Sequence, residues 1–382
     1  MRTPDASLEE TEAPGKPKAL FLSPEPPEAG AGGGGLRSSS LLAYLQSKYV
    51  VDVMGFSLRR HSRSAPARLW RNARRISGRV PPLFDRYSGY QDQIRKQVGD
   101  SMYAVGVVEH FWCASYEPLL RTCCARLALD LHNIESVLAR SYAQSVPWPR
   151  SWASARFAEA YRRLEAKWLP RFDTLLVASE EDRRRVYHPQ VCIYPNALPE
   201  IEPPGTQEEN CIVFSGNLEY HPNVEAVRWF RATVWPYLRG VEARGVEWRL
   251  VGRNAHAVER FVRGDERIRV VGAVQDAVAE LARAKVCLAP LFSGSGTRFK
   301  ILEAWAAARA VVSTSLGAEG LGARDGEHLL IADDPARFAA AIHRLLGDAA
   351  LRRRLGDAGR AWYLQNFTWP VAWRKLEECV VL

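Results

Sequence analysis

The sequence predicts an α/β protein made of two doubly wound, parallel-sheet domains. Three observations carry this expectation. Short apolar runs of strand length alternate with helix-length segments along nearly the whole chain. A proline- and glycine-rich stretch at 199–205 (PEIEPPG) divides the alternation into two series. At 382 residues, 47% of them hydrophobic, the chain is long enough to bury two cores.

In the first series, strands are expected at 18–23, 50–56, 103–108, 126–131, 174–178 and 191–194. Residues 1–17 read as a disordered leader, 18–200 as the first domain and 201–210 as a linker. Behind the first strand comes a glycine run that includes Gly33, Gly34 and Gly35, expected to be a flexible loop over a cleft, and then a helix at 36–48. The run satisfies G-x-G-x-x-G through Gly30, Gly32 and Gly35, but any low-complexity glycine run does so. The six residues between strand and first glycine also spoil the tight turn of a dinucleotide site. His110 and His132 each fall just past an apolar strand, at the sheet edge where open α/β folds bind ligands, although either could equally be an ordinary loop residue. The segment 59–79 is dense in arginine, with Leu69, Trp70 and Ile76 interleaved. It reads either as a solvated helix face or as a basic amphipathic helix for an anionic membrane surface.

The second series places strands at 211–215, 247–251, 268–271, 285–289, 310–314 and 328–331, within a domain spanning 211–367. Gly216, Gly252 and Gly272 close three of these strands, where a missing Cβ lets backbone approach a ligand. Helices are expected at 335–347, 350–365 and 369–380. The densest chemistry lies at 285–315. A strand leads into Gly294, Ser295, Gly296 and Thr297, and a helix carrying Arg298, Lys300 and Glu303 follows. Cations in a first helical turn face an already positive dipole, so they read either as solvated or as half of a phosphate cradle.

The net charge of +9 suits anionic partners without selecting one, and no nucleic-acid-binding module surrounds the basic stretch. The seven cysteines are odd in number and lack C-x-x-C spacing, which predicts buried free thiols in a reducing cytoplasm. The sequence offers no signal peptide and no apolar run of transmembrane length. The expected location is cytoplasmic, peripheral to the inner face of the plasma membrane if the basic helix docks there.

The ordered set FSGNLEYHPNVEAVRWF (214–230), LVGR (250–253), VVGAVQDAVAELARAKVCLAPL (270–291) and GSGTRFKILEAWA (294–306) resembles the donor domain of retaining GT-B glycosyltransferases of family 4. More loosely, His110, LDLHNIES (129–136), LLVASEEDRRRV (175–186) and YPNALP (194–199) fall where acceptor-domain motifs of that family fall. The resemblance implies two Rossmann-like domains facing a cleft, with residues 368–382 crossing back to the first. It implies a nucleoside-diphosphate sugar as donor, a glycan, lipid-linked or small-molecule acceptor as in polysaccharide biosynthesis, and no cofactor. Gly216 and Asn217 would meet the diphosphate, Gly252 would bind the donor with them, and Arg253 and the backbone around Val274 would meet the base. Gly294 to Thr297 would meet diphosphate and sugar, and Glu303 the ribose. Arg298 and Lys300 would neutralise the leaving group, His110 would support the reacting sugar, and His132 with the glycine run would lie on the acceptor side. Transfer would proceed with front-face retention and, for want of a D-x-D signature, without metal. An epimerase on the same architecture and a catalytically decayed scaffold are the competing readings.

Three departures qualify the resemblance. Ser295 stands where the family carries an acid, and no Arg-Lys pair lies between Gly216 and Pro222. The usual Gly-x-Pro becomes Ala308-Arg309-Ala310.

Overall fold

The structure, a computed structural model, describes residues 16–25, 27, 33–56, 58, 64–239, 243–294 and 298–379. Six strands, β1 (Lys18–Leu22), β2 (Val50–Met54), β3 (Tyr103–Glu109), β4 (Cys124–Asp130), β5 (Thr174–Val177) and β6 (Val191–Ile193), form one sheet in the order β2-β1-β3-β4-β5-β6. Six more, β7 (Cys211–Ser215), β8 (Glu247–Val251), β9 (Ile268–Gly272), β10 (Val286–Ala289), β11 (Val311–Ser313) and β12 (Leu330–Ile331), form a second in the order β12-β11-β10-β7-β8-β9. All named pairings are parallel. Every expected strand is present; the central ones are apolar runs buried between helices, while β2 and β9 at the sheet edges are partly exposed.

The helices of the first sheet are α1 (Gly33–Lys48), α2 (Ala65–Gly78), α3 (Pro82–Tyr87), α4 (Gln91–Val98), α5 (Glu117–Leu120), α6 (Glu135–Ser145), α7 (Arg150–Trp168) and α8 (Glu180–Arg185). Those of the second are α9 (His221–Trp229), α10 (His256–Val262), α11 (Ala277–Leu281), α12 (Phe299–Ala306), α13 (Pro335–Gly347) and α14 (Ala349–Asn366), followed by α15 (Trp369–Glu378). Each sheet therefore has a core on both faces. In the second, Phe230, Trp235, Trp248 and Phe338 fill one side and Ile301, Leu302 and Trp305 the other.

Both sheets reverse winding direction once, the first between β1 and β3 and the second between β7 and β10. At such a switch point the flanking helices diverge to opposite faces and leave a crevice at the carboxyl edge. The segments that follow these four strands hold most of the residues singled out from sequence.

Two expectations need correction. Gly33, Gly34 and Gly35 are not a loop: α1 begins at Gly33, and the glycines make its first turn. A Cβ on Gly33 would lie 2.4 Å from the ring of Phe299, so the close approach of α12 demands a residue without one. The cysteines are not all free. Five are buried thiols, but Cys192 and Cys379 form a disulfide that ties the residue after α15 to β6. Around that bond α15 lies on the first domain, where Trp373 Nε1 donates to Ser40 Oγ at 3.0 Å and Lys48 pairs with Glu377 at 3.2 Å. The expected leader lies outside the described residues except for Lys16 and Pro17.

Candidate functional site

A cleft of about 570 Å³ lies between the two switch points. Its second-domain wall follows from backbone geometry first. Gly216 ends β7 with φ 138° and Gly252 ends β8 with φ 146°, and a Cβ on Gly252 would fall 1.7 Å from the Gly216 carbonyl oxygen. No other residue fits there, and the two strand ends meet as bare backbone. Asn217, Arg253 and Val274 line the same wall.

Behind the glycines, α12 delivers charge. Lys300 is half-buried. Its Nζ donates to the Ser215 carbonyl and to Asn223 Oδ1, both at 2.8 Å, and stands 3.8 Å from the centre of the Phe214 ring. Burial is the largest influence on it and, with Arg298 adding to it, outweighs the attraction of Glu303, so the ammonium falls to about 7. Glu303 lies one turn on and accepts from Ser215 Oγ at 3.5 Å. Burial raises its carboxyl above the usual range against the opposing pull of Lys300. Arg298, at the N-cap of α12, is buried, and its guanidinium is lowered by burial although Tyr220 and Glu319 oppose this. Of these two cations, read from sequence as either solvated or part of a phosphate cradle, Arg298 is buried and Lys300 half-buried. Lys300 approaches Gly216 from the helix side: a Cβ on Gly216 would lie 3.4 Å from Lys300 Nζ.

The opposite wall comes from the first sheet. His110, just past β3, adopts φ 61° and ψ 137°, a conformation that costs a non-glycine residue on the order of 1–3 kcal/mol. Its ring is stacked between Trp112, 4.3 Å away at 5°, and His132, 3.7 Å away at 28°. Its Nδ1 has no hydrogen-bond partner among the described residues. Burial, then the neighbouring His132, holds the His110 imidazole well below its ordinary value. His132 goes the other way. Burial alone would lower it, but Asp130 and Glu109, with oxygens 3.3 and 3.5 Å from Nε2, lift it to about 9. At neutral pH the pair is therefore one neutral and one cationic imidazole.

Sequence reasoning missed what holds these histidines. Arg37, in α1, reaches under the cleft to Asp130 at the end of β4, with Nε to Oδ2 at 2.8 Å, and also donates to Asn196 Oδ1 at 3.1 Å. Ser23 Oγ donates to Glu109 at 2.8 Å. Glu109, Asp130 and His132 have the residue types of a metal site, but their acceptor atoms are already directed at Arg37, Ser23 and His132. The available signal was Arg37 itself, a cation two residues past the glycines at the start of α1.

Of the residues expected at the site, the cleft brings together Gly33, Gly34, His110, His132, Gly216, Asn217, Gly252, Arg253, Val274, Arg298, Lys300 and Glu303. Gly35 is in α1 but does not line it, and Gly294 lines a neighbouring cavity instead. Ser295, Gly296 and Thr297 lie outside the described residues.

Comparison with known proteins fits this arrangement. Residues 209–348 match the family described as glycosyl transferases group 1. The chain is 36% identical over 132 residues to the phosphatidyl-myo-inositol mannosyltransferase of Mycobacterium leprae, covering 33% of this chain and 35% of that protein. It thus spans about a third of the length of the curated relatives it matches. Among solved structures it is similar to a sucrose-phosphate synthase from Thermosynechococcus elongatus, with TM-score 0.71, 17% identity and coverage of 96% of this chain and 98% of that one. It is also similar to Anabaena HepE in complex with UDP and glucose, with TM-score 0.62, 13% identity and coverage of 95% and 99%. At these identities the two structures share the GT-B fold.

Proposed function

We propose that the chain, whose residues 209–348 match the glycosyl transferases group 1 family and which has the GT-B fold, is a retaining glycosyltransferase. It moves a sugar from a nucleoside diphosphate to a hydroxyl-bearing acceptor. The observation that carries this reading is the convergence of both switch points on one cleft. A buried arginine, a half-buried lysine and bare strand ends stand on one wall, and a neutral imidazole stacked on a cationic one stands on the other.

In this reading the diphosphate lies over Gly216 and Gly252, within reach of Lys300 and Arg298. The ribose hydroxyls meet Glu303, and Arg253 with Val274 borders the base. Charge develops on the departing diphosphate as the glycosidic bond breaks, and preorganised cations in a desolvated site stabilise that charge more than they stabilise the intact donor. His110, neutral and with Nδ1 free for a ligand, hydrogen-bonds the sugar. His132 adds positive charge behind it. The acceptor oxygen attacks from the face the diphosphate leaves, so no protein carboxylate has to lie beneath the anomeric carbon. With lysine and arginine opposite the phosphates, the reaction requires no metal.

A screen of UDP-, GDP- and ADP-sugars, read by nucleotide release, identifies the donor. Lys300→Ala and Glu303→Ala are each expected to lower turnover at least about a hundredfold, with activity of the parent chain retained in EDTA. Full turnover in both variants would refute the site assignment. Epimerisation of the donor in the absence of acceptor would refute transfer.

The proposal extends to a peripheral membrane contact. No residue of α2 is buried, and Leu69 and Trp70 are 72% and 65% exposed among Arg68, Arg71, Arg74 and Arg75. Trp148 and Trp152 are exposed at the start of α7, which packs on α2. Arg59, Arg60 and Arg63 of the same basic segment lie outside the described residues. No helix among the described residues is long and apolar enough to cross a membrane.

A further inference from the structure

A second cavity, of about 410 Å³, opens beside the donor cleft and shares Tyr220 and Pro222 with it. Its first-domain wall comes from α3, α6 and α7, through Leu83, Leu138, Phe157 and Tyr161, and Ser293 and Gly294 close it from the second domain. The domains touch at its rim, where the Gly294 N–H donates to Ser141 Oγ at 3.2 Å. No lysine or arginine lines it among the described residues, and the two titratable groups that do besides tyrosines, Glu135 and His221, both carry environments that disfavour charge. Burial, then Glu165, pushes Glu135 up to about 8 although Trp112 Nε1 donates to it at 2.9 Å. Burial holds His221 below its ordinary value, and its ring stands edge-on to Tyr142 with centroids 4.3 Å apart. At neutral pH the cavity is therefore apolar and uncharged, whereas the cleft it adjoins is built for an anion.

This contrast restricts the acceptor. A phosphorylated sugar would find no cation here and would lose its hydration. A hydrocarbon chain would bury its length against Leu83, Leu138 and Phe157 while a hydroxyl at its head reached past Tyr220 and Pro222 into the cleft. Two of its walls also adjoin the exposed face already described: α3 and α7 both pack on α2. An amphiphile drawn from a surface at that face meets the cavity next. We propose that this interdomain cavity is the acceptor subsite and that it takes the hydrocarbon portion of a lipid-like acceptor. The assignment rests on the glycosyltransferase reading above and narrows its acceptor to amphiphiles.

Titration of the full chain with methyl, hexyl and octyl glucoside, each below its micelle concentration, tests it. Affinity is expected to rise about fourfold per added methylene. Leu138→Asp and Ala139→Trp, at partly buried positions, are each expected to weaken octyl glucoside at least about tenfold and to leave nucleoside diphosphate affinity unchanged. The parent series is decisive without either variant. Affinity independent of chain length, or glucose 6-phosphate binding more tightly than octyl glucoside, overturns the proposal. Separate titrations with UDP, GDP and ADP distinguish the two readings. Nucleotide binding without chain-length dependence removes the cavity proposal alone. Chain-length dependence without nucleotide binding removes the donor reading, and with it the acceptor role of the cavity.

Discussion

Lys300 makes a definite prediction because its ammonium is lowered to about 7 by burial while an unfolded lysine holds its proton to about 10.5. In the unliganded chain the folded state binds fewer protons across that window, so the Lys300 contribution to stability rises as pH climbs from about 7 to about 10.5. A diphosphate beside Nζ reverses the preference and recovers the proton. At pH 8, nucleoside diphosphate binding should therefore take up close to one proton, measured by calorimetry in buffers of different ionisation enthalpy, and the affinity should fall as pH rises above about 7. Lys300→Met should abolish the uptake, and a parent chain that binds with none would contradict the assignment. Ala308 gives a second residue-scale prediction. It stands where the resembled family carries glycine, and it adopts φ 53°. The left-handed region costs a Cβ-bearing residue about 1–2 kcal/mol, and glycine gives back about 0.4–1 kcal/mol through the unfolded chain. Ala308→Gly should raise stability by about 0.5–1 kcal/mol in denaturant titration, with no change in nucleotide binding.

At the scale of elements, α2 separates two causes of helix formation. Its apolar residues do not enter a core, and Arg74 and Arg75 meet Asp85 of α3 at 3.3 and 2.7 Å. Leu69→Ser with Trp70→Ser should leave the melting temperature within about 2 °C and remove co-sedimentation with anionic vesicles; equal binding of the parent to neutral and anionic vesicles would contradict electrostatic docking. The strands were legible because each is a local apolar run, and Lys300 and Glu303 because an amphipathic helix after a glycine loop is also local. The start of α1 was not. Glycines lower helix propensity, and the reason for Gly33 lies in Phe299, which only folding brings near. The Arg37–Asp130 pair spans 93 residues and left only one half of its signal in any short window. The partial burial of Lys300 was equally hidden, since a first-turn lysine reads as either solvated or anion-binding until Phe214, Ser215 and Asn223 are folded around it.

At the scale of the whole molecule, both walls of the cleft are anchored to rigid strand ends, and they touch through Gly33 and Phe299 and through Gly294 and Ser141. The chain passes between the domains twice, after β6 and again before α15, where Leu198 and Thr368 pair as an isolated bridge. The Cys192–Cys379 bond lies just outside both crossings and joins residues 187 apart. The entire second domain is thereby a loop within a covalent ring whose clasp is on the first domain. A protease that cuts once anywhere between those cysteines opens the ring without releasing a fragment. Such nicked protein should migrate as one species of full mass under denaturing, non-reducing conditions and split into two only when a reductant is added. Two fragments without reductant would show that the ring is open.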